Sequence, residues 1–123
     1  MPQKHDVFRA IRGATTISAD DPALVRDAIQ EMLTALMTRN ALTNDDVINA
    51  FFTATPDISS DFPARAAREA LGWDDVPMLC AVEMSVPGVT ARCLRVMLNA
   101  VPSGRPAVHA YLRGAAALRP DLA

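Results

Sequence analysis

The chain has 123 residues, 50% of them hydrophobic and 21% charged, and its formal net charge at pH 7 is −2. That charge gives no basic footprint for nucleic acid, and no apolar run is long enough to cross a membrane. The length suits one domain with a real core, predicted to span residues 1–123, of which residues 119–123 form a tail expected to be mobile. Residues 1–6 are polar and lack the apolar stretch of a signal peptide, so we expect a cytoplasmic protein.

The cysteines give no sign of a metal site. Cys80 and Cys93 both lie in apolar runs that resemble strands, and their spacing fits no metal-binding motif. We interpret them as reduced core thiols, with a disulfide as the less favoured alternative. The cysteines therefore predict no metal site.

The first predicted element is a strand over residues 7–17, with Gly13 near its middle. Glycine inside a strand indicates a bulge or a close approach of another backbone. Arg12, beside it, is a candidate inward-pointing cation. An arginine on an edge strand, facing water, is the structural alternative and from the pattern alone is the better supported of the two.

Two helices follow, separated by a strand. Asp21 is a suitable N-cap and Pro22 suits the first helical position, so an amphipathic helix is predicted from there to residues 39–40. Residues 47–55 form a strand apolar enough to be buried on both faces. A short helix over residues 64–71 is ended by Gly72. Within it Arg65 and Glu69 have the spacing of a weak surface ion pair.

Three strands are predicted after the second helix: residues 76–86, 91–101 and 108–118. For the last of them a helix is a real alternative, because Ala115, Ala116 and Ala117 favour helix. The element order β-α-β-α-β-β-β predicts an α+β (mixed α/β) fold, a five-stranded mixed sheet with two helices on one face. The other, apolar face then needs a partner, and oligomerisation is the simplest way to cover it.

Charged residues inside the apolar runs are the candidates for chemistry. Glu83 and Arg95 each lie within a predicted strand, where they either pair with each other or face a cleft. Arginine forks beside a tyrosine and a thiol suit small organic anions, especially dicarboxylates. A purely structural explanation accounts for the pattern equally well. The full set is Arg12, Arg95, Arg113, Arg119, Tyr111, Glu83 and Cys80.

Short segments in register along the chain resemble the trimeric, β-rich chorismate mutases. This family differs in fold from the all-helical enzymes that share its reaction. The similar segments run from about Phe8 to Leu122 and cover nearly the whole chain. They are residues 12–16 (RGATT), 54–57 (ATPD), 62–66 (FPARA), 68–69, 72–73 (GW), 76–77, 80 with 83–84, 92–96 (RCLRV), 108–109, 111–112 and 118–122 (LRPDL).

The resemblance implies a reaction and an assembly. The reaction is the intramolecular [3,3] rearrangement of chorismate to prephenate in phenylalanine and tyrosine biosynthesis, and it needs no cofactor. The assembly is a homotrimer, a pseudo α/β barrel whose three active sites lie at subunit interfaces. The substrate chorismate is then the only small-molecule partner, with no nucleic acid and no membrane.

The resemblance also implies roles for particular residues. Arg95 is the cation beside the ether oxygen, where negative charge develops as the C–O bond breaks. Arg12 holds a substrate carboxylate and Glu83 accepts from the ring hydroxyl, so these three are the catalytic residues. Cys80 acts at the same end, mainly through its backbone, and Arg119 closes over the bound dianion. The substrate-binding residues are Tyr111, Cys80, Phe62, Ala64, Arg65, Leu118 and Arg119.

Some features depart from the family, and two other functions remain open. Arg65 stands where relatives often have lysine, residues 87–91 replace a Gly-rich turn, and the tail after Asp121 is short. Strict alternation places Cys80 and Glu83 on opposite faces, so a bulge or a backbone contact is needed for both to touch one ligand. The alternative functions are a non-catalytic trimeric small-acid-binding module and an imine/enamine hydrolase of similar trimeric fold.

Overall fold

A computed structural model describes residues 6–122 and confirms the predicted order of elements. Two short 3₁₀ helices, Asn44–Asp46 and Arg113–Leu118, are added to that order. The strands and α-helices are β1 (Arg9–Thr16), α1 (Pro22–Arg39), β2 (Val47–Ala54), α2 (Pro63–Leu71), β3 (Met78–Val82), β4 (Cys93–Ala100) and β5 (Ala110–Tyr111).

The five strands form one mixed sheet in the order β3-β2-β4-β1-β5. β4 lies in the centre and runs antiparallel to both β1 and β2, whereas the outer pairs, β2 with β3 and β1 with β5, are parallel. β2 and β3 are consecutive strands joined through α2, the crossover that a parallel pair requires, whereas β1 and β5 are the first and last strands of the chain. This topology places β1, β2 and β4 side by side.

Helix α1 covers one face of the sheet. The Asp21 carboxylate accepts hydrogen bonds from the N–H groups of Ala23 and Leu24, which confirms it as the N-cap. Gly13 gives the helix a close approach, because a Cβ there would lie 2.9 Å from Leu36 Cδ1 and 3.1 Å from Met32 Cγ. The glycine in β1 therefore marks close packing, and β1 pairs with β4 without a bulge.

Helix α2 packs beside α1 and ends as predicted. Gly72 adopts a left-handed φ of 69° at its C-cap. Trp73, which follows, is 1% exposed and donates from its indole nitrogen to Asn44 Oδ1 at 3.0 Å. The predicted Arg65–Glu69 pair is wrong. Arg65 pairs instead with Asp61, and Glu69 reaches Arg26 on α1, since α1 and α2 lie side by side.

The predicted strands over residues 76–86 and 108–118 are both shorter in the structure. β3 ends at Val82, although the Glu83 N–H still donates to Ala54 O at 2.9 Å and extends the pairing by one residue. The predicted strand over residues 108–118 is only two residues long. The Arg113–Leu118 segment turns into a 3₁₀ helix, so the helical alternative holds for the alanine run, whose small side chains favour helical over extended backbone.

The second face of the sheet is open in the single chain. Alternate residues of β2 and β4, such as Phe52 and Leu98, are fully buried beneath the helices, but Phe51 and Met97 on the other face are 49% and 40% exposed. Burial of β2 on both faces is therefore wrong for one chain on its own. Within residues 6–122, no helix is both long enough and apolar enough to span a membrane.

Candidate active site

The open face of the sheet carries a cleft of about 730 Å³. Its floor is set by strand register, because Arg95 on β4 pairs with Ala14 on β1 and with Thr53 on β2. Residues that pair in register point to the same side of a sheet. Arg12, Tyr111 and Leu79 join them at the edges of the cleft. Sequence positions far apart thus converge on one surface.

Arg95 and Glu83 meet at one end of this face. Arg95 Nε lies 2.8 Å from Glu83 Oε1, and their side chains are 41% and 17% exposed. The Nε–H is not aligned for a hydrogen bond to that oxygen. Within residues 6–122, Arg95 Nε and Glu83 Oε2 have no hydrogen-bond partner although both atoms are buried. Since Arg95 Nε is already in ion-pair contact with Oε1, the capacity left for a ligand lies on Glu83 Oε2.

Arg119 lies near Tyr111, which lines the β5 side of the cleft. Tyr111 is buried with Ala14 and Ala115 in a small cluster on the open face, and Leu118 and Leu122 pack against it. The Arg119 guanidinium makes a bidentate contact with Asp121, at 3.1 and 2.9 Å. This pairing lowers the pKa of the Asp121 carboxyl and raises that of Arg119.

The remaining predicted residues lie on the opposite side of the sheet. Cys80 pairs in register with Phe52, which is buried beneath the helices, whereas Leu79 pairs with Phe51 on the open face. No register shift occurs between β2 and β3, so Cys80 and Glu83 point to opposite faces. Both cysteines are free, and Cys80 is exposed, so only Cys93 is a core thiol.

Cys80 lies beside the N-terminus of α2. Partial burial raises the pKa of its thiol, and a hydrogen bond from the Ala64 N–H opposes that shift. Arg65 places its guanidinium carbon 5.4 Å from the centroid of the exposed Phe62 ring. Cys80, Phe62, Ala64 and Arg65 therefore form a second group, which we call the helix-side group. Arg12, Glu83, Arg95 and Tyr111 form the open-face group.

Arg113 does not belong to either group. It donates to Glu31 on α1 at 3.2 and 3.3 Å and to Thr16 O at 3.2 Å. Its φ of 52° is left-handed and marks the point where the chain turns out of β5. Arg113 therefore anchors the following 3₁₀ helix. This structural role accounts for a cation inside a predicted strand without a role in binding.

Sequence reasoning missed a clamp at the start of β4. Asp57 accepts from the Arg92 N–H at 2.8 Å and from the Thr55 hydroxyl, whose oxygen in turn accepts from the Cys93 N–H at 2.9 Å. These bonds fix the backbone two residues before Arg95. The ATPD segment contains both side chains, but its spacing predicted only the end of β2.

His109 was also missed. Its Nδ1 accepts a hydrogen bond from the backbone N–H of Arg12 at 2.9 Å. A lone histidine in the sequence gives no sign that it will lie beside a residue 97 positions away. In the described part of the chain, no cluster of three or more His, Cys, Asp or Glu side chains is arranged to hold a metal ion.

Comparison with known proteins points to one family. The family described as "Chorismate mutase type I" matches residues 8–122. The chain is 38% identical over 119 residues to the chorismate mutase AroH of Bacillus subtilis (strain 168), covering 94% of this chain and 93% of that protein. It is 40% identical over 120 residues to AroH of Thermus thermophilus, covering 94% and 97% of the two chains.

A solved structure shares the fold as well. The chorismate mutase from Clostridium thermocellum superposes with a TM-score of 0.83 at 38% sequence identity, and the match covers 88% of this chain and 97% of that chain. The structural match therefore extends over nearly all of that enzyme. The chain belongs to the type I chorismate mutase family.

Proposed function

We propose that this protein is an isomerase that converts chorismate to prephenate in phenylalanine and tyrosine biosynthesis. The observation that carries the proposal is the Arg95–Glu83 ion pair, in which Arg95 lines the open cleft and the buried Glu83 Oε2 has no hydrogen-bond partner within residues 6–122. The two side chains combine a donor and an acceptor at the place where two opposite charges meet. A substrate that develops charge separation as it reacts is the ligand that such a pair suits best.

The rearrangement breaks one C–O bond and forms one C–C bond within a single molecule. No atom of the protein has to be transferred, so the contribution of the site is to hold the reactive conformer and stabilise developing charge. Negative charge grows on the ether oxygen, and the Arg95 guanidinium stabilises it there. Since this interaction is stronger in the transition state than in the bound substrate, it raises the turnover rate.

The other open-face residues hold the substrate. Arg12 binds a substrate carboxylate, and Tyr111 donates a hydrogen bond nearby. Glu83 accepts from the ring hydroxyl and balances the positive charge that develops on the ring. Arg119, which lies near Tyr111, releases Asp121 and closes over the dianion, and Leu118 packs against the cluster that contains Tyr111.

The helix-side group completes the site from another subunit. Cys80, Phe62, Ala64 and Arg65 face away from Arg95 in one chain, so a second copy is needed for both groups to touch one substrate. The exposed apolar residues of the open face, Phe51, Leu79 and Met97, support an interface between copies. The Arg65 cation in the first turn of α2 suits a carboxylate. We infer a homotrimer with three such sites, forming a pseudo α/β barrel.

We also infer a single catalytic domain that works in the cytoplasm without a cofactor. The family match over residues 8–122 and the two free cysteines support this. Since the matched family spans the chain almost completely, we expect no separate regulatory region within it. Turnover should therefore not respond to phenylalanine, tyrosine or tryptophan.

Turnover of chorismate tests the proposal. Purified protein should remove chorismate absorbance and form prephenate, identified by its acid conversion to phenylpyruvate. Arg95→Ala should lower kcat/KM by at least about 10²–10³-fold, the effect of removing one donor from an oxyanion hole. Arg105→Ala is the matched control, because it makes the same change on an exposed loop arginine outside the cleft.

Each other outcome points elsewhere. Turnover that survives Arg95→Ala moves the catalytic charge to another residue. Tight binding of a chorismate analogue without turnover indicates the small-acid-binding module. Hydrolysis of a 2-imino acid, with no loss of chorismate, indicates the imine/enamine hydrolase.

A further inference from the structure

The contact between His109 and Arg12 lies where the pairing of β1 with β5 begins. Gly13 pairs with Ala110 and Ala14 with Tyr111, and the Leu112 N–H donates to Ala14 O at 2.9 Å. Arg12 and His109 each precede a member of the Gly13–Ala110 pair by one residue. The Arg12 N–H points to the same edge of β1 and donates to His109 Nδ1 at 2.9 Å. An imidazole nitrogen thus occupies the position where a neighbouring strand would place a carbonyl.

His109 is held from the other side as well. Its carbonyl accepts from the Arg39 guanidinium at 3.3 Å, and the Asn40 side chain both donates to Val108 O and accepts from Val108 N at 2.8 Å. These bonds tie the segment before β5 to the end of α1. The imidazole therefore connects the helix layer to the backbone of Arg12.

The charges around His109 favour its neutral form. Burial lowers the pKa of the His109 imidazole, and the Arg12 and Arg119 guanidiniums lower it further. Arg39 on α1 adds a third cation at the carbonyl, and the nearest carboxylate on the tail, Asp121, is already paired with Arg119. A neutral ring that accepts at Nδ1 must carry its proton on Nε2.

We propose that His109 is a positioning residue for Arg12: neutral imidazole Nδ1 holds the Arg12 backbone, and protonation of that nitrogen releases it. The inference rests on the proposed function, in which Arg12 binds a substrate carboxylate. A protonated Nδ1 turns an N–H toward the Arg12 N–H, so the hydrogen bond is lost and two donors face each other. The Arg12 guanidinium then loses its fixed place at the edge of the cleft.

Two substitutions separate positioning from general stability. His109→Asn keeps an acceptor, Oδ1, at about the place of Nδ1 but cannot titrate. His109→Leu removes the acceptor at similar size. We expect His109→Leu to raise KM for chorismate about tenfold, the value of one hydrogen bond, with a smaller change in kcat, and His109→Asn to stay near wild type. Equal KM values for all three proteins, or equal losses in both variants, would overturn the inference.

The pH profile gives the second readout. The wild-type kcat/KM should fall on the acid side as His109 is protonated, below the usual histidine range because its pKa is lowered. His109→Asn should lack that fall. A wild-type value that instead rises toward acid pH would mean that imidazolium attracts the dianion, and it would refute the positioning role.

Nuclear magnetic resonance of the imidazole nitrogens gives a readout that does not depend on turnover. The chain has two histidines, so the signals absent from His109→Asn identify His109. We expect the Nε2–H tautomer at neutral pH, and an Nδ1–H tautomer would refute the contact. If the wild type does not convert chorismate, the proposed function fails separately. The inference is then judged on this tautomer and on prephenate affinity, measured by calorimetry, which His109→Leu should weaken and His109→Asn should preserve.

Discussion

The Asp57 carboxylate should stabilise the start of β4, the strand that carries Arg95. It accepts one hydrogen bond from the Arg92 N–H and one from the Thr55 hydroxyl. Arg92 has a left-handed φ of 45°, which is unfavourable for a residue with a Cβ and is held in place by these contacts. Asp57→Ala removes both bonds, and the turn then keeps only the two hydrogen bonds between Arg92 and Ile17.

The expected cost follows from those two bonds. Each intramolecular hydrogen bond contributes about 0.5–1.5 kcal/mol net, and since Asp57 is exposed we expect no additional gain from its charge. Asp57→Ala should therefore lower the free energy of unfolding by about 1–3 kcal/mol, measured by urea denaturation at fixed protein concentration. Asp75→Ala is the control, because that exposed carboxylate makes no hydrogen bond or ion pair within residues 6–122.

The effect should depend on pH with a defined sign. The Thr55 hydrogen bond, and then that from the Arg92 N–H, lower the pKa of Asp57 in the folded protein, against a partial opposing effect of burial. The stabilisation is therefore complete above the unfolded pKa of about 3.9 and is lost as the pH falls below it. The difference in stability between wild type and Asp57→Asn should shrink as the pH is lowered through about 4. A cost below that of Asp75→Ala, or a difference that grows in acid, would refute the clamp.

Two further changes test packing and charge. Gly13→Ala should cost about 1–3 kcal/mol in urea denaturation, because its Cβ would lie 2.9 Å from Leu36 Cδ1. Adding Leu36→Ala should cost less than the sum of the two single changes, and simple additivity would contradict the contact. Glu83→Gln should lower kcat for chorismate about 10²-fold with the fold retained in circular dichroism, since it removes the charge opposite Arg95. Glu69→Gln, which alters an exposed ion pair, should leave kcat unchanged, and an unaltered kcat in Glu83→Gln would rule out its role.

Sequence periodicity predicted the order of elements because local signals set it. Asp21 and Gly72 act within one or two residues of the helix ends that they define. The predicted strand over residues 108–118 was wrong because its extent depends on contacts with a strand far away in the sequence. The alternating apolar side chains of these residues suit a strand, but only Ala110 and Tyr111 find a pairing partner on β1, and the chain then turns away through Arg113.

The site was predictable only in part, because it depends on contacts far apart in sequence. Period-two alternation correctly placed Cys80 opposite Glu83, and pairing of β2 with β3 without a bulge leaves no way to bring them together in one chain. The near-continuous apolarity of β2 indicated burial on both faces, yet Phe51 is half exposed. A second copy of the chain that covers the open face would explain both the apolar residues of β2 on that face and the separation of Cys80 from Glu83. His109 gave no local signal, since its contact with Arg12 exists only after β5 docks on β1.

The central claim is that each site combines the open-face group of one subunit with the helix-side group of another. Arg95→Ala should inactivate the first group, and Arg65→Glu should inactivate the second by repelling the substrate carboxylates. Neither variant is expected to turn over chorismate well by itself, but in the proposed trimer refolding the two variants together would give mixed assemblies. In random mixtures, a site is intact when its open-face group comes from Arg65→Glu and its helix-side group comes from Arg95→Ala.

Turnover by the mixed trimers is therefore the decisive measurement. Random assembly makes about one site in four intact, so the mixture should recover about a quarter of the wild-type kcat/KM per site. Either variant refolded alone, so that every subunit carries the same substitution, should recover no activity. If the Arg95→Ala and Arg65→Glu mixture stays as inactive as the separate variants although mass measurement shows mixed trimers, both groups act within one subunit and the account is wrong.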